Sequence, residues 1–188
     1  MTIIVTSESV RLIWSAAPRG DLLADLSVHK LDVVLADSPI NPTLNIRAYN
    51  HLLGESGVSF FSTPDEAAEL EAGFPHSLDG MTMLMPSSGS SLRRDLDLWL
   101  ERNNINPVII AEFDDRALMK AFGERGAGVF TSPTAVEKDV LDKYGVRVIG
   151  RSAELTERYY LISAERRIKN PAVSAITQVA RDILFQQG

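Results

Sequence analysis

The first candidate for chemistry is a run of five small residues, Ser87, Ser88, Gly89, Ser90 and Ser91, between an apolar stretch and an amphipathic stretch. Hydroxyl groups and small side chains let an anion approach backbone N–H groups, and helix N-termini attract anions. Serine is also a favoured N-cap residue, so the run can serve only to begin a helix. Its spacing matches neither a Walker loop nor a G-x-S-x-G nucleophile elbow. The run is therefore a candidate ligand-binding loop, with a helix cap as the structural alternative.

Polar residues also follow three other apolar runs of strand length. Asp37 and Ser38 follow one run, Asp114 and Asp115 follow a second, and Thr131 stands at the end of a third. Ligands of parallel α/β sheets bind beyond the carboxyl ends of the strands, so these positions are candidates for a binding site. Adjacent carboxylates at a helix start are also explained by the helix dipole, which is the structural alternative for the Asp114–Asp115 pair.

Several chemistries have no support in the sequence. The chain has no cysteine, which excludes disulfides, thiolate metal sites and cysteine nucleophiles. Its three histidines, His29, His51 and His76, lack the paired spacing of a metal site and give no support to a catalytic triad. No constellation of residues requires an enzyme. We therefore expect no catalytic residues and no cofactor, and leave the question of a metal open.

The composition is that of one ordinary folded domain or two small lobes, with 188 residues, 45% of them hydrophobic and 23% charged. The formal net charge of −6 argues against binding of a nucleic-acid backbone by these residues alone. No stretch has the length and apolarity of a membrane span, and the first residues lack the pattern of a secretory signal. We expect a cytoplasmic location and no membrane partner.

The candidate residues need an α/β framework, which the hydrophobic pattern predicts. Apolar runs of strand length alternate with helical patterns, as in proteins with largely parallel sheets. The helix over 114–126 is predicted to bury Ala117, Leu118, Ala121 and Phe122. Strands are predicted at 9–14, 31–37, 48–62, 81–85, 107–113, 127–133, 146–150 and 158–164, and helices at 20–30, from about 91, at 114–126, from about 133 and from about 171.

Two helix starts combine a polar cap with a following proline. Ser132 with Pro133, and Asn170 with Pro171, each fit a side-chain N-cap followed by proline at the first helical position. Gly145 fits the end of the first of these helices, because glycine is favoured just past a helix C-terminus.

Two stretches of the sequence resemble a known protein family in their residues as well as in their hydrophobic pattern. The segment DLLADLSVHKLDVVLADSPI (21–40) resembles the effector-binding domain of LysR-type transcriptional regulators. The segment from 89 to 136 is similar to the second lobe of that family, including a G-x-G-V-x-x-x-P pattern formed by Gly126, Gly128, Val129 and Pro133. The likeness extends over about residues 10–185.

This resemblance implies an α/β fold of two Rossmann-like lobes joined by crossing strands, as in type 2 periplasmic binding proteins. Lobe I would comprise residues 1–57 and 165–188, and lobe II residues 58–164 with the returning strand. A small effector would lie in a cleft, with the serine and glycine loop facing Asp37 and Ser38. The ligand-binding residues implied are Asp37, Ser38, Ser87, Ser88, Gly89, Ser90, Ser91 and Thr131.

The chain departs from the family pattern at its start. The winged helix-turn-helix of the family and the first strand and helix of its effector domain have no counterpart here. The resemblance thus implies an isolated regulatory domain that self-associates as a dimer or tetramer and reaches DNA only through the absent domain. In the family, two-fold pairing implies an interface that includes the helices at 21–29 and 114–122.

Within the family, the stretches at 29–40, 112–123 and 163–173 look like sodium-responsive activators of sodium/proton antiporter genes. Sodium requires oxygen ligands, whereas serine hydroxyls and helix N-termini favour a small anionic metabolite, so both effector classes stay open. Alternatives to a regulator are a two-lobe solute-binding protein and a small-molecule enzyme of the same fold. The possible cation ligands are Asp37, Glu112, Asp114 and Asp115.

Overall fold

The computed structural model describes residues 13, 15–41, 46–168 and 170–184. Helices and strands alternate over most of this range, and three short 3₁₀ turns connect them. The helices are α1 (Arg19–Ser27), α2 (Pro64–Leu70), α3 (Ser91–Arg102), α4 (Arg116–Glu124), α5 (Glu137–Tyr144) and α6 (Pro171–Leu184). The strands are β1 (Val33–Ala36), β2 (Tyr49–Ser62), β3 (Thr82–Pro86), β4 (Val108–Phe113), β5 (Phe130–Pro133) and β6 (Arg147–Ser163).

The chain divides into two compact units. Unit 1 contains the residues up to Glu55 together with those from Arg158 onward, and unit 2 contains Ser56–Glu157. Strands β2 and β6 therefore each pass from one unit into the other. The resemblance placed the lobe boundaries at 57/58 and 164/165, whereas the contacts change over at 55/56 and 157/158.

Unit 1 is built on a short antiparallel pair. Strand β1 pairs with the end of β6 in the register Val33↔Ser163. The amphipathic helix α1 buries Leu23 and Leu26, which pack in the same cluster as Val34 of β1 and further apolar residues. The helix predicted at 20–30 and the strand at 31–37 are thus confirmed. The strand predicted at 9–14 lies outside the described residues except for Ile13, which is not in a strand.

The core of unit 2 is formed around a parallel pair of strands. Strands β3 and β4 run side by side from Thr82↔Val108 to Pro86↔Phe113, and a bridge between Met83 and Val129 continues the parallel arrangement toward β5. Helix α3 covers this sheet with its predicted apolar face. The buried residues of that face are Leu92, Leu96, Trp99 and Leu100.

The predicted predominance of parallel strands is wrong for the longer sheet. Its strand order is β1-β6-β2-β5, and the described pairings of β1 with β6 and of β2 with β5 are antiparallel. Strand β6 is also one strand of 17 residues, where the sequence predicts two. Its middle part is polar, so no apolar run marks it as a strand in the sequence.

Helix α4 does not bury the face that its sequence predicts. Its buried residues are Met119 and Gly123, whereas Leu118 is 49% exposed and Phe122 is 47% exposed. Gly123 allows the helix backbone to pack closely on Phe130, because a Cβ built at this position would stand 2.1 Å from a carbon of that ring. The backbone of α4 therefore rests on that ring, and the flanking apolar residues are turned outward.

The two predicted cap-plus-proline starts have different outcomes. The Oδ1 atom of Asn170 accepts hydrogen bonds from the backbone N–H groups of Ala172 at 3.0 Å and Val173 at 3.5 Å, so this cap is confirmed. The cap predicted at Ser132 is wrong, because Pro133 ends β5 and a 3₁₀ turn without a side-chain cap intervenes before α5. Gly145 ends α5 with φ 61°, in the left-handed region that glycine tolerates.

Candidate functional site

The polar residues of unit 2 that the sequence singled out lie at one edge of its parallel sheet. Strands β3 and β4 end together at Pro86 and Phe113, and the backbone N–H of Ser87 donates to the carbonyl of Phe113 at 2.9 Å. We call this edge, with the loops that leave it, the carboxyl edge of unit 2. Carboxyl ends of parallel strands are where α/β proteins place their ligands.

The serine and glycine loop fulfils its structural role and also leaves open space. The hydroxyl of Ser90 accepts a hydrogen bond from the backbone N–H of Arg93 at 3.2 Å and so caps α3. Ser88 and Gly89 are exposed, and a Cβ built on Gly89 would meet no atom within 4 Å. The loop is therefore a helix cap whose tip is accessible to a ligand. Both interpretations of the sequence, a helix cap and a ligand-binding loop, are consistent with this geometry.

Two hydroxyl groups of β5 are buried without a partner. Thr131 and Ser132 are each 1% exposed, and neither hydroxyl has a hydrogen-bond partner among the described residues. Thr131 lies opposite Phe60 of β2, two positions beyond the bridge from Val129 to β3. Buried hydroxyls usually have a partner, because desolvation without compensation is unfavourable. Thr131 thus keeps its status as a predicted ligand contact.

Arg93 connects the start of the Ser87–Ser91 loop to strand β4 and to its own helix. Its Nη1 atom donates to the carbonyl of Pro86 at 3.0 Å and pairs with the carboxylate of Glu112 at 2.8 Å, while Nε pairs with Asp97 at 3.0 Å. Burial disfavours the charged guanidinium, but the hydrogen bonds to Glu112 and Asp97 outweigh it, so the pKa of Arg93 is raised. Glu112, a predicted cation ligand, is therefore engaged by an arginine.

The loop after β4 supplies a second cap and a second arginine. Asp115 caps α4, its Oδ1 accepting from the backbone N–H of Ala117 at 2.7 Å. Asp114 is exposed. Arg116, the first residue of α4, pairs with Glu157 of β6 at 2.6 Å, and the Glu157 side chain is 1% exposed. The dipole explanation for the two aspartates is consistent with this cap.

The two predicted residues of unit 1 lie together at the end of β1. The hydroxyl of Ser38 donates to the carboxylate of Asp37 at 3.2 Å. The Nη1 atom of Arg19 in turn donates to the Ser38 hydroxyl, and its Nη2 donates to the carbonyl of Pro39 at 2.6 Å. This loop thus contains a guanidinium that the sequence pattern did not indicate.

The arrangement of acidic side chains offers little to a cation. Across the described ranges, no three histidine or carboxylate side chains are grouped so that they could hold a metal ion. Glu112 pairs with Arg93, Asp115 caps α4, and Asp37 accepts from Ser38. The four predicted cation ligands stay a prediction, without a common centre in either unit.

The sequence pattern did not indicate three arginines that lie at the candidate sites, which are Arg19, Arg93 and Arg116. Arg19 and Arg116 are the first residues of their helices. A cation at a helix N-terminus is unfavourable beside the helix dipole unless a partner compensates it. That conflict is visible in the sequence once the helix starts are predicted, and it could have marked both residues as candidates.

Strand β4 and helix α4 also present an apolar surface, which we call the β4–α4 surface. Its residues are consecutive along the strand and one turn apart on the helix, and each is exposed by 43% or more. They are Val108, Ile109, Ile110, Leu118 and Phe122. Val108 and Ile110 point to one face of β4 and Ile109 points to the other, because side chains alternate along a strand. Exposed apolar side chains grouped on one face typically mark interaction sites. No helix in the described part of the chain combines the length and apolarity needed to cross a bilayer.

A family model described as the LysR substrate binding domain matches residues 8–184. The chain is 37% identical over 182 residues to the transcriptional activator protein NhaR of Escherichia coli (strain K12), and NhaR of Shigella flexneri gives the same identity. These matches cover 97% of this chain and 60% of the relatives. The chain therefore spans about three fifths of the length of the curated relatives it matches.

Solved structures agree on the fold. The effector binding domain of QuiR in complex with shikimate is similar over 89% of this chain and 78% of that one, with a TM-score of 0.66 and 18% identity. A sulfate-bound mutant regulatory domain of OxyR2 from Vibrio vulnificus is similar over 88% and 78%, with a TM-score of 0.66 and 13% identity. These likenesses confirm the fold class that the sequence resemblance implied.

Proposed function

The chain belongs to the LysR substrate binding domain family, and from this premise we propose that it is the effector-sensing and self-associating domain of a LysR-type transcriptional activator. The 37% identity to NhaR over nearly the whole chain carries this proposal. The formal net charge of −6 supports DNA contact through another part of the regulator and not through these residues. Such a domain acts in the cytoplasm by binding a ligand without turning it over.

For the effector, we propose a small anion that contacts the carboxyl edge of unit 2. The open tip of the Ser87–Ser91 loop, the unpartnered hydroxyl of Thr131 and the arginine at the start of α4 support this class. Two structural neighbours are described with shikimate and with sulfate, which are both anions. Asp37 and Ser38 stay predicted contacts of unit 1, where Arg19 adds a positive charge.

Sodium is the second candidate effector. The likeness to NhaR favours it, together with a role in control of a sodium/proton antiporter gene. Its ligands would come from Asp37, Glu112, Asp114 and Asp115. The engagement of Glu112 by Arg93 counts against this set, because a bound cation would have to replace a guanidinium 2.8 Å from the carboxylate.

Thermal unfolding of the chain separates the two candidates. The domain is heated in sodium, potassium and lithium chlorides at matched ionic strength, and in parallel with a panel of small carboxylates and sulfate. A ligand that binds only the folded state at one hundred times its Kd stabilises it by about 2.7 kcal/mol. We expect stabilisation by an anion. Stabilisation by sodium or lithium alone would replace the anion proposal, and no shift by any of them would contradict effector sensing through these classes.

For self-association, we propose that the β4–α4 surface is part of a two-fold interface between copies of the chain, with the helix at 21–29 contributing from unit 1. Half-exposed Phe122 is a suitable residue to test, because a charge there cannot be buried without cost. Phe122→Asp is expected to shift the sedimentation coefficient of the wild-type oligomer to that of a monomer.

Leu98→Asp is the matched control for this experiment. Leu98 is 47% exposed, as Phe122 is, but it lies on α3 and is not one of the residues that define the β4–α4 surface. We expect Leu98→Asp to sediment like the wild type. Equal loss of association in both variants, or a monomeric wild type at high micromolar concentration, would contradict the proposed interface.

A further inference from the structure

The ion pair between Arg116 and Glu157 connects the carboxyl edge of unit 2 to a strand that leaves the unit. Arg116 stands directly after the Asp114–Asp115 loop, at the first position of α4. A cation is electrostatically disfavoured there, because the N-terminal end of a helix carries partial positive charge. The position is tolerated because the Glu157 carboxylate lies 2.6 Å from Nη1 of Arg116.

The two partners differ in their exposure, and this difference determines what each can do. The Arg116 side chain is 31% exposed, so part of it is in contact with solvent, whereas the Glu157 side chain is 1% exposed. A buried carboxylate needs a compensating charge, because it cannot be hydrated. Arg116 therefore pairs with a buried anion while part of its side chain remains in contact with solvent.

Lys120 provides a second positive charge for Glu157. It lies four residues after Arg116, on the same face of α4, and is half-buried. Burial and the neighbouring Arg116 charge lower the pKa of Lys120, while Glu157 acts in the opposite direction. Glu157 thus interacts with two cations of one helix. If Arg116 turns toward a solute, Lys120 still compensates part of the buried charge.

Glu157 is also the residue at which β6 leaves unit 2. Unit 2 ends at Glu157, and the next residue, Arg158, pairs with Glu55 of unit 1 at 3.2 Å. Successive side chains of a strand point to opposite faces, so the two neighbouring ion pairs of β6 are made on different sides of the strand. A change in the Arg116–Glu157 pair therefore acts on β6 at the point where the chain passes between units.

We propose that Arg116 binds the effector anion at the carboxyl edge of unit 2 and that Glu157 competes for the same guanidinium, so that effector binding loosens the hold of α4 on the crossing strand β6. This inference rests on the proposed anionic effector. It adds Arg116 as a residue that binds the anion, and the Arg116–Glu157 pair as the means by which binding affects β6. Arg116 is a binding residue in this scheme, and Glu157 is a positioning residue.

Calorimetric titration of three variants tests the competition, with sulfate and the carboxylate that stabilises the wild type most as probes. Glu157→Gln keeps the shape and hydrogen bonding of the side chain but removes its charge, so we expect affinity to rise about tenfold. Arg116→Gln is expected to lower affinity at least tenfold, and Arg116→Lys to lower it less. Circular dichroism and the Tm verify that each variant is folded.

Glu55→Gln is the matched control, because it neutralises the exposed carboxylate that pairs with Arg158, the neighbour of Glu157. We expect it to bind the probes like the wild type. If Glu157→Gln and Arg116→Gln also bind like the wild type, the competition is refuted while the anionic effector stands. If no variant binds either anion, the anionic effector fails together with the inference.

Hydrogen exchange measures the link to β6 and does so even without a ligand. Amides of β6 around Glu157 are expected to exchange faster in Arg116→Gln than in the wild type, and faster in the wild type after addition of the anion. Glu55→Gln should leave the anion effect in place. Unchanged exchange in Arg116→Gln would overturn the proposed route, whatever the titrations give.

Discussion

Helices α3 and α4 occupy equivalent positions after the two parallel strands of unit 2, but they differ in how much of their apolar surface they bury. Each follows one strand of the parallel pair β3–β4, begins with a side-chain cap and carries an arginine in its first turn. Helix α3 buries all four residues of its apolar face, whereas α4 leaves Leu118 and Phe122 about half exposed. The comparison shows that α3 completes the core with its whole apolar face, while α4 leaves part of its apolar side chains exposed to solvent.

The arginines of the two helices repeat this difference. Arg93 of α3 pairs with Glu112, whose side chain is 45% exposed, and Arg116 of α4 pairs with Glu157, whose side chain is 1% exposed. The carboxylate of the first pair is in contact with water and that of the second is not, so solvent screens the second pair less. We therefore expect the same two chemical groups to contribute differently to stability, with the larger contribution from the pair whose carboxylate is buried.

Trp99→Ala tests the structural role of α3 and has the largest expected effect. Trp99 is 4% exposed and its ring centroid lies 5.2 Å from that of Phe60. Truncation leaves a large cavity, so the free energy of unfolding should fall by about 3–5 kcal/mol in a urea titration. On α4, Leu118→Ala should cost about 1 kcal/mol or less, because half of that side chain is already in water. Similar losses would contradict the division of roles.

Glu157→Ala compares the two ion pairs directly. It leaves Arg116 and Lys120 in partly buried positions without their carboxylate, so we expect a cost of about 1–3 kcal/mol. The corresponding change at the exposed pair, Glu112→Ala, is expected to cost about 0–1 kcal/mol. The measurement is chemical unfolding of both variants in one buffer. If Glu112→Ala were the costlier change, burial would not govern these pairs.

Much of the framework could be predicted, because its signals are local. The helix from Ser91, the strand before it and the Asn170 cap follow from apolar spacing, serine or asparagine capping and proline. The middle of β6 could not be predicted, since its polar residues form a strand only through pairing with distant parts of the chain. The same holds for α4, whose orientation depends on its contact with Phe130.

The candidate site could be predicted only in part. The Ser87–Ser91 and Asp114–Asp115 loops follow the ends of β3 and β4, and Thr131 lies near the end of β5. Strand ends of this kind are predictable from apolar runs. The partners of the arginines could not be predicted. Arg116 finds its carboxylate on β6, in a segment that was not predicted as a strand, and ion pairs between distant segments leave no periodic pattern.

Gly123→Ala tests what turns the apolar face of α4 outward. Alanine favours a helix over glycine by about 1 kcal/mol, but its Cβ at this position would meet ring carbons of Phe130 at 2.1 and 2.5 Å. Overpacking should prevail and destabilise the domain by about 1–3 kcal/mol, as read from the denaturation midpoint. Gly20→Ala in α1 is the control, since no atom lies within 4 Å of a Cβ there. If Gly123→Ala were more stable than the wild type, the Phe130 ring would have to move aside at little cost in free energy.

The caps of the two helices give the smallest expected effects and still distinguish them. Asp115 accepts two backbone hydrogen bonds, from Ala117 at 2.7 Å and Leu118 at 3.3 Å, whereas Ser90 accepts one, from Arg93 at 3.2 Å. The carboxylate also interacts with the helix dipole, so Asp115→Ala should cost about 1–2 kcal/mol and Ser90→Ala about 0.5–1 kcal/mol.

Salt separates the two contributions at Asp115. Screening weakens the charge–dipole interaction but leaves the hydrogen bonds, so the cost of Asp115→Ala should decrease between low and high ionic strength while that of Ser90→Ala stays constant. Asp115→Asn retains an oxygen acceptor without the charge and should reproduce only the salt-dependent part. A salt-independent cost at Asp115 would mean that its charge contributes nothing and that its two hydrogen bonds account for the whole effect.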